Sequence, residues 1–234
     1  MTKNILVSNT HLLLTAGIIA GPFFIVLSVI HGLLRPGFDM VRHPASLLLV
    51  GDLGWVQIII FVLTGLLFLA GGIGLRRVLA SGIGSRFVAP LFITLGISMA
   101  IGGIFTPDPS IGFPPGTPPG VPEQMSTRAM IHGFAPVIGF IALVIALIIL
   151  GRRFGKEGHK RLMWVTIIVA VLTFILTSLP SMTGNFETGE FNFLPLWVGA
   201  ALGFGYTSIL LAKMKNALGD LGEDNNKKQL YETV

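Results

Sequence analysis

The chain has 234 residues, of which 52% are hydrophobic and only 12% are charged, and its mean hydropathy is +0.81. Because a soluble domain carries about 25% charged residues, this composition excludes an ordinary soluble domain and indicates a membrane protein. The absence of cysteine excludes a disulfide framework and a thiolate metal site. The net charge of +5 comes with no basic groove interleaved with aromatic residues, so we predict no nucleic-acid partner.

Six long apolar segments predict the fold. A helix needs about 20 apolar residues to cross the hydrocarbon core of a bilayer. Segments of this kind cover residues 12–34, 55–75, 87–105, 129–150, 162–179 and 193–212. The first is too long for a signal peptide, and no A-x-A cleavage site follows it. We therefore predict an all-α membrane domain of six spans over residues 12–212, between an N-terminal segment 1–11 and a polar, disordered tail 213–234.

The distribution of basic residues predicts the orientation of this six-helix bundle. Of the sixteen lysines and arginines, only Arg35, Arg42 and Arg128 lie in connections that follow the first, third or fifth span. The others lie near the termini or in the remaining two connections. Since cytoplasmic connections carry an excess of Lys and Arg, both termini are expected in the cytoplasm. The predicted location is the plasma membrane of a prokaryotic cell, with membrane lipid as a partner.

Two of the outer connections have sequences that predict their local structure. The connection between spans three and four, residues 106–128, is rich in proline and glycine, which excludes a helix or a central strand and favours an ordered irregular cap or a flexible loop. Residues 43–53 precede the second span and are expected to lie at the outer interface or re-enter it. The break falls at residues 51–54, and Trp55 suits the aromatic belt of the interface.

Nine polar residues are predicted to reach the depth of the outer leaflet when helical residues are counted from the inner boundary. They are His31, Arg35, Asp39, Arg42, His43, Ser46, Asp52, Asp108 and His132. Ionisable groups near a bilayer usually face the bundle interior or a wet cavity and pair with one another. We therefore predict one polar cavity that opens to the outer face.

A hydrolase is one chemistry that these residues suggest. Ser46 would attack a substrate, His43 would take its proton, and Asp108 or Asp52 would orient the imidazole ring. However, no G-x-S-x-G motif surrounds Ser46. The alternative is that His43 starts a helix and that the Ser46 hydroxyl satisfies a backbone carbonyl.

A metal site is a second possibility. His43, His132 and Asp108 offer nitrogen and oxygen ligands that suit zinc, and His31, Asp39 or Asp52 would extend the set. The chain has no H-x-x-x-H or H-E-x-x-H pair, so each ligand would come singly from a different helix. The alternative is that each histidine is a hydrogen-bonded polar group of the bundle.

A headgroup site is a third possibility. Arg35 and Arg42 would hold a phosphate or carboxylate group, with Asp39, Asp52 and Trp55 as further binding residues. The alternative is an internal ion pair from the arginines to Asp39 or Asp108. We favour the internal pair, because an arginine near hydrocarbon needs a partner whether or not a ligand binds.

Two sequence signatures resemble a known family. The first is Arg35-Pro-Gly-Phe-Asp, followed by Arg42-His43-Pro-Ala-Ser46 and by Gly54-Trp55-Val-Gln57. The second runs from Gly103 through Asp108 to Gly116 and is followed by His132-Gly133. Together they resemble a bacterial and archaeal membrane protein family catalogued as a domain of unknown function, DUF998. The resemblance covers roughly residues 15–215 and implies a six-span bundle without an established activity.

The leading interpretation is a non-enzymatic membrane protein that binds a lipid or another amphiphile through the outer polar cavity. The alternative is a membrane-embedded hydrolase or transferase, with or without zinc, that acts on a lipid-like substrate. A small transporter ranks third, because residues 162–180 and 193–212 contain no Asp, Glu, Lys, Arg or His and so offer no charged pathway. The sequence leaves the oligomeric state open.

Overall fold

The computed structural model describes the backbone of residues 2–231 and the side chains of residues 8–219. Within that range the chain forms six α-helices and a short 3-10 helix. The α-helices are α1 (Thr2–Leu34), α2 (Gly54–Val78), α3 (Val88–Ile104), α4 (Thr127–Lys156), α5 (Lys160–Thr183) and α6 (Leu194–Tyr231), and the 3-10 helix is Ala45–Leu49. The described residues form two isolated β-bridges and no longer strand, so the prediction of an all-α fold is confirmed.

Five of these helices are long and apolar enough to cross a membrane. The spans are Ser8–Leu34, Gly54–Val78, Thr127–Lys156, Lys160–Thr183 and Leu194–Gly219. The remaining helix, α3, is apolar but has 17 residues, which gives it a length of about 26 Å at 1.5 Å per residue. The chain is therefore a multi-pass membrane protein by the length and composition of its helices.

The last helix continues past the expected end of the sixth span at Ala212. Its backbone is helical through Tyr231, whereas its side chains are described only through Gly219. The backbone of the segment that was expected to be a disordered tail thus continues α6. Disorder of this tail in solution stays a prediction.

The helices pack in sequence order, and α6 returns to contact α1. Glycines let two of the neighbouring pairs approach closely. A Cβ atom at Gly17 would lie 2.8 Å from the Cα of Gly71, and a Cβ atom at Gly65 would lie 2.5 Å from the carbonyl oxygen of Gly96. Small residues at such crossings allow the close backbone contact on which helix association in membranes depends. Here they join α1 to α2 and α2 to α3.

Aromatic rings fill the middle of the bundle. Phe204 is buried on α6, and its ring centroid lies 5.1 Å from that of Phe68, 5.6 Å from that of Phe140 and 5.8 Å from that of Phe24. These rings come from α1, α2, α4 and α6. The interior is therefore occupied by side chains that exclude water, and the polar residues of interest lie towards the helix ends.

The three connections that follow α1, α3 and α5 fold together at one end of the bundle, and we call residues 35–53, 105–126 and 184–193 the cap. Backbone hydrogen bonds join them: the Val121 amide donates to the Phe186 carbonyl at 3.2 Å, and the Phe193 amide donates to the Val41 carbonyl at 2.6 Å. The cap has its own apolar cluster, formed by Leu47, Leu48, Val50, Ile111 and Phe113. The proline-rich connection is thus folded onto the other two.

Candidate functional site

Arg35 lies in the interior of the cap, directly after the end of α1. Its side chain is only 8% exposed, and its guanidinium donates to the carbonyl of Val50 at 2.8 Å and, at 3.4 Å, to that of Leu48. The guanidinium carbon also lies 5.1 Å from the ring centroid of Phe113, a cation–π contact. Burial lowers the pKa of Arg35 from its ordinary value, and the charge of Asp52 opposes that shift. The cation thus joins the segment after the 3-10 helix to the proline-rich connection.

The expected ion pair from Arg35 to Asp39 or Asp108 is not formed. The salt bridge that occurs among the residues with described side chains joins Arg153 to Glu157, at the opposite end of the bundle. Backbone carbonyls replace the carboxylate because the 3-10 helix ends at Leu49, which leaves the carbonyls of Leu48 and Val50 without helical partners. The Arg35 guanidinium has several N–H donors and binds both carbonyls. The sequence pattern does not show that these carbonyls are its partners.

His43 is held on both ring nitrogens. Its Nδ1 accepts the backbone N–H of Asp39 at 3.0 Å, so this nitrogen carries no proton. Its Nε2 therefore carries the proton and donates to the carbonyl of Ile111 at 3.0 Å. The ring is buried, and its centroid lies 5.4 Å from those of Phe38 and Phe113. This hydrogen bonding fixes the neutral tautomer.

The surroundings of His43 favour that neutral state. Burial is the largest influence and lowers the pKa of the imidazole below its ordinary value. The hydrogen bond to Ile111 raises it, the charge of Arg42 lowers it, and the charge of Asp39 raises it. A histidine with both nitrogens engaged offers no lone pair to a substrate proton or to a metal ion. Its place in the cap is that of a structural anchor.

The backbone carbonyl of His43 carries a third contact. It accepts the indole N–H of Trp197 at 3.1 Å, which ties the first connection to α6. Ile111, which accepts the His43 proton, has a φ of 55°, a region that is unfavourable for a β-branched residue. The amide of Ile111 is itself bound to the Gly120 carbonyl at 2.7 Å. The contacts of the cap thus hold a strained residue beneath the imidazole.

Ser46 makes no hydrogen bond to His43 in the described part of the chain. It is half-buried on the 3-10 helix, while His43 is directed at Asp39 and Ile111. The nucleophile–base pair that a hydrolase needs is therefore not assembled in this structure. The side chain of Asp39 accepts the backbone N–H of Val41 at 2.8 Å, which closes a local turn.

Asp108 caps the start of α4. One carboxylate oxygen accepts the backbone N–H of Ser126 and the other accepts its hydroxyl, both at 2.7 Å. The Ser126 hydroxyl oxygen in turn accepts the backbone N–H of Ala129 at 3.1 Å, which satisfies one of the unpaired donors of the helix N-terminus. Within the described part of the chain, Asp108 thus forms no hydrogen bond or ion pair with His43 or His132, and its carboxylate orders the last residues of the proline-rich connection.

His132 packs α4 against the end of α3. Its Nδ1 lies 2.8 Å from the carbonyl oxygens of both Gly102 and Phe105. Because both partners are acceptors, Nδ1 carries a proton and donates. The Gly102 carbonyl belongs to the last turn of α3 and the Phe105 carbonyl to its C-cap residue, and both lack partners within that helix. The role of His132 is therefore to close the C-terminal end of α3.

His31 belongs to a polar chain inside the bundle that the sequence did not predict. Its Nδ1 donates to the side-chain oxygen of Gln57 at 2.9 Å, and the amide nitrogen of Gln57 donates to the hydroxyl of Ser28 at 2.7 Å. All three side chains are buried between α1 and α2. The Nε2 of His31 is buried and has no hydrogen-bond partner among the described residues. The signal in the sequence is the single amide at Gln57 in an otherwise apolar span.

The other predicted headgroup residues lie at the surface of the cap. Arg42 and Asp52 are exposed and make no side-chain hydrogen bond within the described part of the chain. Trp55, in the first turn of α2, is 58% exposed. These three side chains remain accessible to a ligand.

The structure therefore does not join the nine polar residues into one contact cluster. It places His31 between α1 and α2, Arg35 and His43 inside the cap, and His132 against α3. No group of three or more histidine, aspartate or glutamate side chains with metal-binding geometry occurs among the described residues. The proposed zinc ligands His43, His132 and Asp108 are directed at three different sets of partners, so these residues do not fit a metal ion in this arrangement.

The comparisons with known proteins identify a family. Residues 18–213 match the family model described as "Protein of unknown function (DUF998)". No curated protein and no solved structure matches the chain.

Proposed function

Because the chain belongs to the DUF998 family, whose description gives no activity, we propose a function from the contacts of its own side chains. The protein is a six-span membrane protein that acts without catalysis, and its cap faces the outside and binds the phosphate-bearing headgroup of an amphiphile. The observation that carries this proposal is the division of polar groups in the cap. His43 and Asp108 are engaged in holding the cap, whereas Arg42, Asp52 and Trp55 are exposed on its surface.

The candidate catalytic residues are already hydrogen-bonded within the cap, which supports a binding function over an enzymatic one. A general base needs an available lone pair within reach of a nucleophile, and His43 uses its lone pair on the Asp39 amide. A carboxylate that orients a histidine would contact that ring, and the carboxylate of Asp108 instead binds Ser126 at both oxygens. The enzymatic alternative therefore requires the cap to rearrange before any chemistry occurs.

The exposed residues of the cap suit a headgroup at the membrane interface. A guanidinium binds a phosphate through two parallel N–H donors, which Arg42 has available. Trp55 supplies an amphipathic ring of the kind that sits at headgroup level. Asp52 supplies a carboxylate that pairs with the amine of a zwitterionic headgroup. Arg35 stabilises the cap beneath these residues, because it binds the Val50 carbonyl and so fixes the backbone two positions before Asp52.

The six-span topology rests on the basic residues and on α3. With Arg35, Arg42 and Arg128 at the cap end and the other thirteen basic residues elsewhere, the positive-inside rule places the cap outside and both termini in the cytoplasm. This orientation requires α3 to cross as well, although it has 17 residues. A short span is accommodated by local thinning of the bilayer.

The absence of cysteine makes this topology directly testable. Ser81 precedes α3 and Glu123 follows it, and both residues are exposed, so each can be replaced by a single cysteine. A membrane-impermeant maleimide added to intact cells should label Glu123→Cys and leave Ser81→Cys unlabelled until the cells are opened. Equal labelling of the two positions would show that α3 does not cross the membrane. Labelling of Ser81→Cys alone would show that the protein has the opposite orientation.

Headgroup binding is testable by fluorescence quenching in a Trp164→Phe background, which leaves Trp55 and the buried Trp197 as fluorophores. The protein is reconstituted in mixtures of phosphatidylethanolamine and phosphatidylglycerol in which only one of the two lipids is brominated. We expect brominated phosphatidylethanolamine to quench Trp55 beyond its mole fraction, because Arg42 holds its phosphate and Asp52 its amine beside the ring. Arg42→Gln with Asp52→Asn should return quenching to the mole fraction. Quenching that follows the mole fraction for both lipids in the parent protein would contradict headgroup binding at the cap.

A further inference from the structure

The end of the bundle opposite the cap contains a cavity of about 320 Å³ between α2, α4, α5 and α6. We propose that this cavity, the inner pocket, binds the phosphate headgroup of an anionic phospholipid from the inner leaflet, with the first part of an acyl chain on its apolar floor. The site is separate from the cap and does not depend on ligand binding there.

The floor of the inner pocket is apolar and buried. It includes Leu79 after α2, Phe154 on α4 and Leu210 on α6, each of which is less than a tenth exposed. Met214 extends the apolar wall along α6. Apolar surface that lines a cavity is favourable for hydrocarbon and unfavourable for a solvated ion alone. The floor therefore suits an amphiphile more than a free inorganic anion.

The rim of the pocket is positively charged. Arg77 at the end of α2, Lys213 on α6 and Arg153 near the end of α4 line it, and Glu157 is the acidic residue beside them. Arg153 is engaged, because it pairs with Glu157 at 2.8 Å and donates to the carbonyl of Ser81 at 2.7 Å. Arg77 and Lys213 have no hydrogen bond or ion pair among the described residues. Two cations from different helices thus remain available above an apolar floor.

A third element adds to the attraction for an anion. His159 lines the pocket and occupies the N-cap position of α5, which begins at Lys160. The N-terminus of a helix carries partial positive charge and unpaired N–H groups that favour an anion. Here that N-terminus lies beside the two unpaired cations and the cavity. The combination distinguishes the inner pocket from an ordinary basic connection that only contacts the surface of the bilayer.

The size of the pocket restricts the ligand. Pockets that enclose whole small molecules have volumes of roughly 300–1,000 Å³. The inner pocket is at the lower end of that range, so it accommodates a headgroup and the first carbons of a chain but not two complete acyl chains. Under the topology proposed above, the pocket lies at the level of the inner headgroups, where anionic lipids attract basic residues.

The test measures the binding of single lipids to the full chain in detergent by native mass spectrometry, with phosphatidylglycerol, phosphatidylcholine and inorganic phosphate as probes. The parent protein should retain phosphatidylglycerol in preference to phosphatidylcholine. In the variant Arg77→Gln with Lys213→Gln, affinity for phosphatidylglycerol should fall roughly 30-fold, since each basic residue contributes about a fivefold factor. The matched control is Arg76→Gln with Lys215→Gln, which removes the same charge from the same two helices outside the pocket lining and should change affinity by less than about threefold.

A second variant keeps every charge and fills the cavity. Ala217 lines the pocket and is exposed on α6, so Ala217→Trp should block phosphatidylglycerol binding while the thermal unfolding midpoint stays near that of the parent protein. Unchanged lipid binding by this variant would overturn the proposal, as would an equal loss of affinity in the two charge variants. Equal binding of phosphatidylcholine would exclude recognition of the anion, and displacement by inorganic phosphate at the same concentration would exclude a role for the acyl chain.

Discussion

The two ends of this bundle use charged residues in opposite ways. At the cap, Arg35 and His43 are buried, and their polar atoms bind backbone groups from other parts of the chain. At the inner pocket, Arg77 near the end of α2 and Lys213 within α6 lie at the rim of an apolar floor and form no hydrogen bond or ion pair among the described residues. A buried polar group with every partner satisfied is part of the architecture, whereas an unpaired cation beside a cavity is available for a ligand.

Removal of the His43 side chain should produce the largest effect that separates the two ends. His43→Ala leaves the Asp39 N–H and the Ile111 carbonyl without partners and opens a space between Phe38 and Phe113. We expect a loss of about 4 kcal/mol in the free energy of unfolding, because the orphaned Ile111 carbonyl is buried and costs about 1–3 kcal/mol, and the cavity and the part-buried Asp39 amide add to this. Unfolding by sodium dodecyl sulfate, followed by circular dichroism, measures it. An unchanged unfolding curve would contradict the role of His43 as an anchor.

Replacement of Arg35 by lysine tests whether geometry or charge holds the cap. Arg35→Lys keeps the cation but loses the planar fork that reaches the Val50 carbonyl and stacks on Phe113. The expected loss is about 2 kcal/mol, since a hydrogen bond from a charged group contributes about 1.5–3 kcal/mol. The same unfolding assay measures it, and the exposed Arg42→Lys serves as the control with an expected change below about 0.5 kcal/mol. Equal effects of the two substitutions would remove the distinction between buried and exposed arginines.

The cap should also weaken as the pH falls. The pKa of His43 in the folded chain lies below the value of about 6.5 expected in the unfolded chain, because burial disfavours the charged ring. Between those two pKa values the unfolded chain binds more protons, so stability falls as the pH is lowered from about 6.5 towards the folded pKa. The measurement compares unfolding free energies at pH 7.5 and 5.5. The parent protein should lose more stability than His43→Asn, and parallel pH profiles would contradict this origin.

The N-cap residue of α4, Ser126, should give a smaller effect on stability at the same end of the bundle. Ser126→Ala removes the hydroxyl that accepts from Ala129 and donates to Asp108, and it should cost about 1 kcal/mol, as is usual for a lost N-cap. Thr127→Ala is the neighbouring control, because Thr127 lies one position inside the helix and makes no cap bond. The difference between the two unfolding free energies measures the contribution of the N-cap, and equal values for the two variants would show that the Ser126 hydroxyl does not stabilise this helix start.

The inner pocket should show the smallest effect on stability. Arg77→Gln with Lys213→Gln removes two cations without removing a hydrogen bond within the described residues, so the free energy of unfolding should change by less than about 0.5 kcal/mol in lipid-free detergent. The same variant is expected to lose phosphatidylglycerol binding. A large destabilisation without added lipid would show that these cations hold the fold, and the contrast between the two ends would disappear.

The sequence predicts much of the helical layout, because apolar length and glycine or proline breaks are local features. The predicted second span, residues 55–75, lies within α2, and the break expected at residues 51–54 coincides with its start at Gly54. The exception is α3, which the apolar run 87–105 suggested as a full span and which has 17 residues, Val88–Ile104. The C-cap residue Phe105 already adopts an extended backbone, and Pro107 follows two positions later.

The contacts within the site were not predictable from residue type and depth alone. Depth placed His43 and Asp108 at one level, but their partners are set by how the connections fold. The carbonyl bound to His43 belongs to Ile111, 68 positions away in the chain. The hydrogen bonds of Arg35 go to carbonyls freed at the end of a 3-10 helix, which no charge pattern predicts. The inner pocket was not predicted, because the basic residues of this end indicate orientation and general contact with anionic lipids, whereas the cavity depends on how α2, α4, α5 and α6 pack.

The cap also makes its three connections depend on one another. The hydrogen bonds Phe193–Val41, Trp197–His43 and Val121–Phe186 tie the far ends of α1, α3, α5 and α6 to one another. Each of these connections holds a hydrogen-bond partner of another, so a substitution that unfolds one of them removes partners from the others. We therefore expect the cap to open as one cooperative unit and not connection by connection.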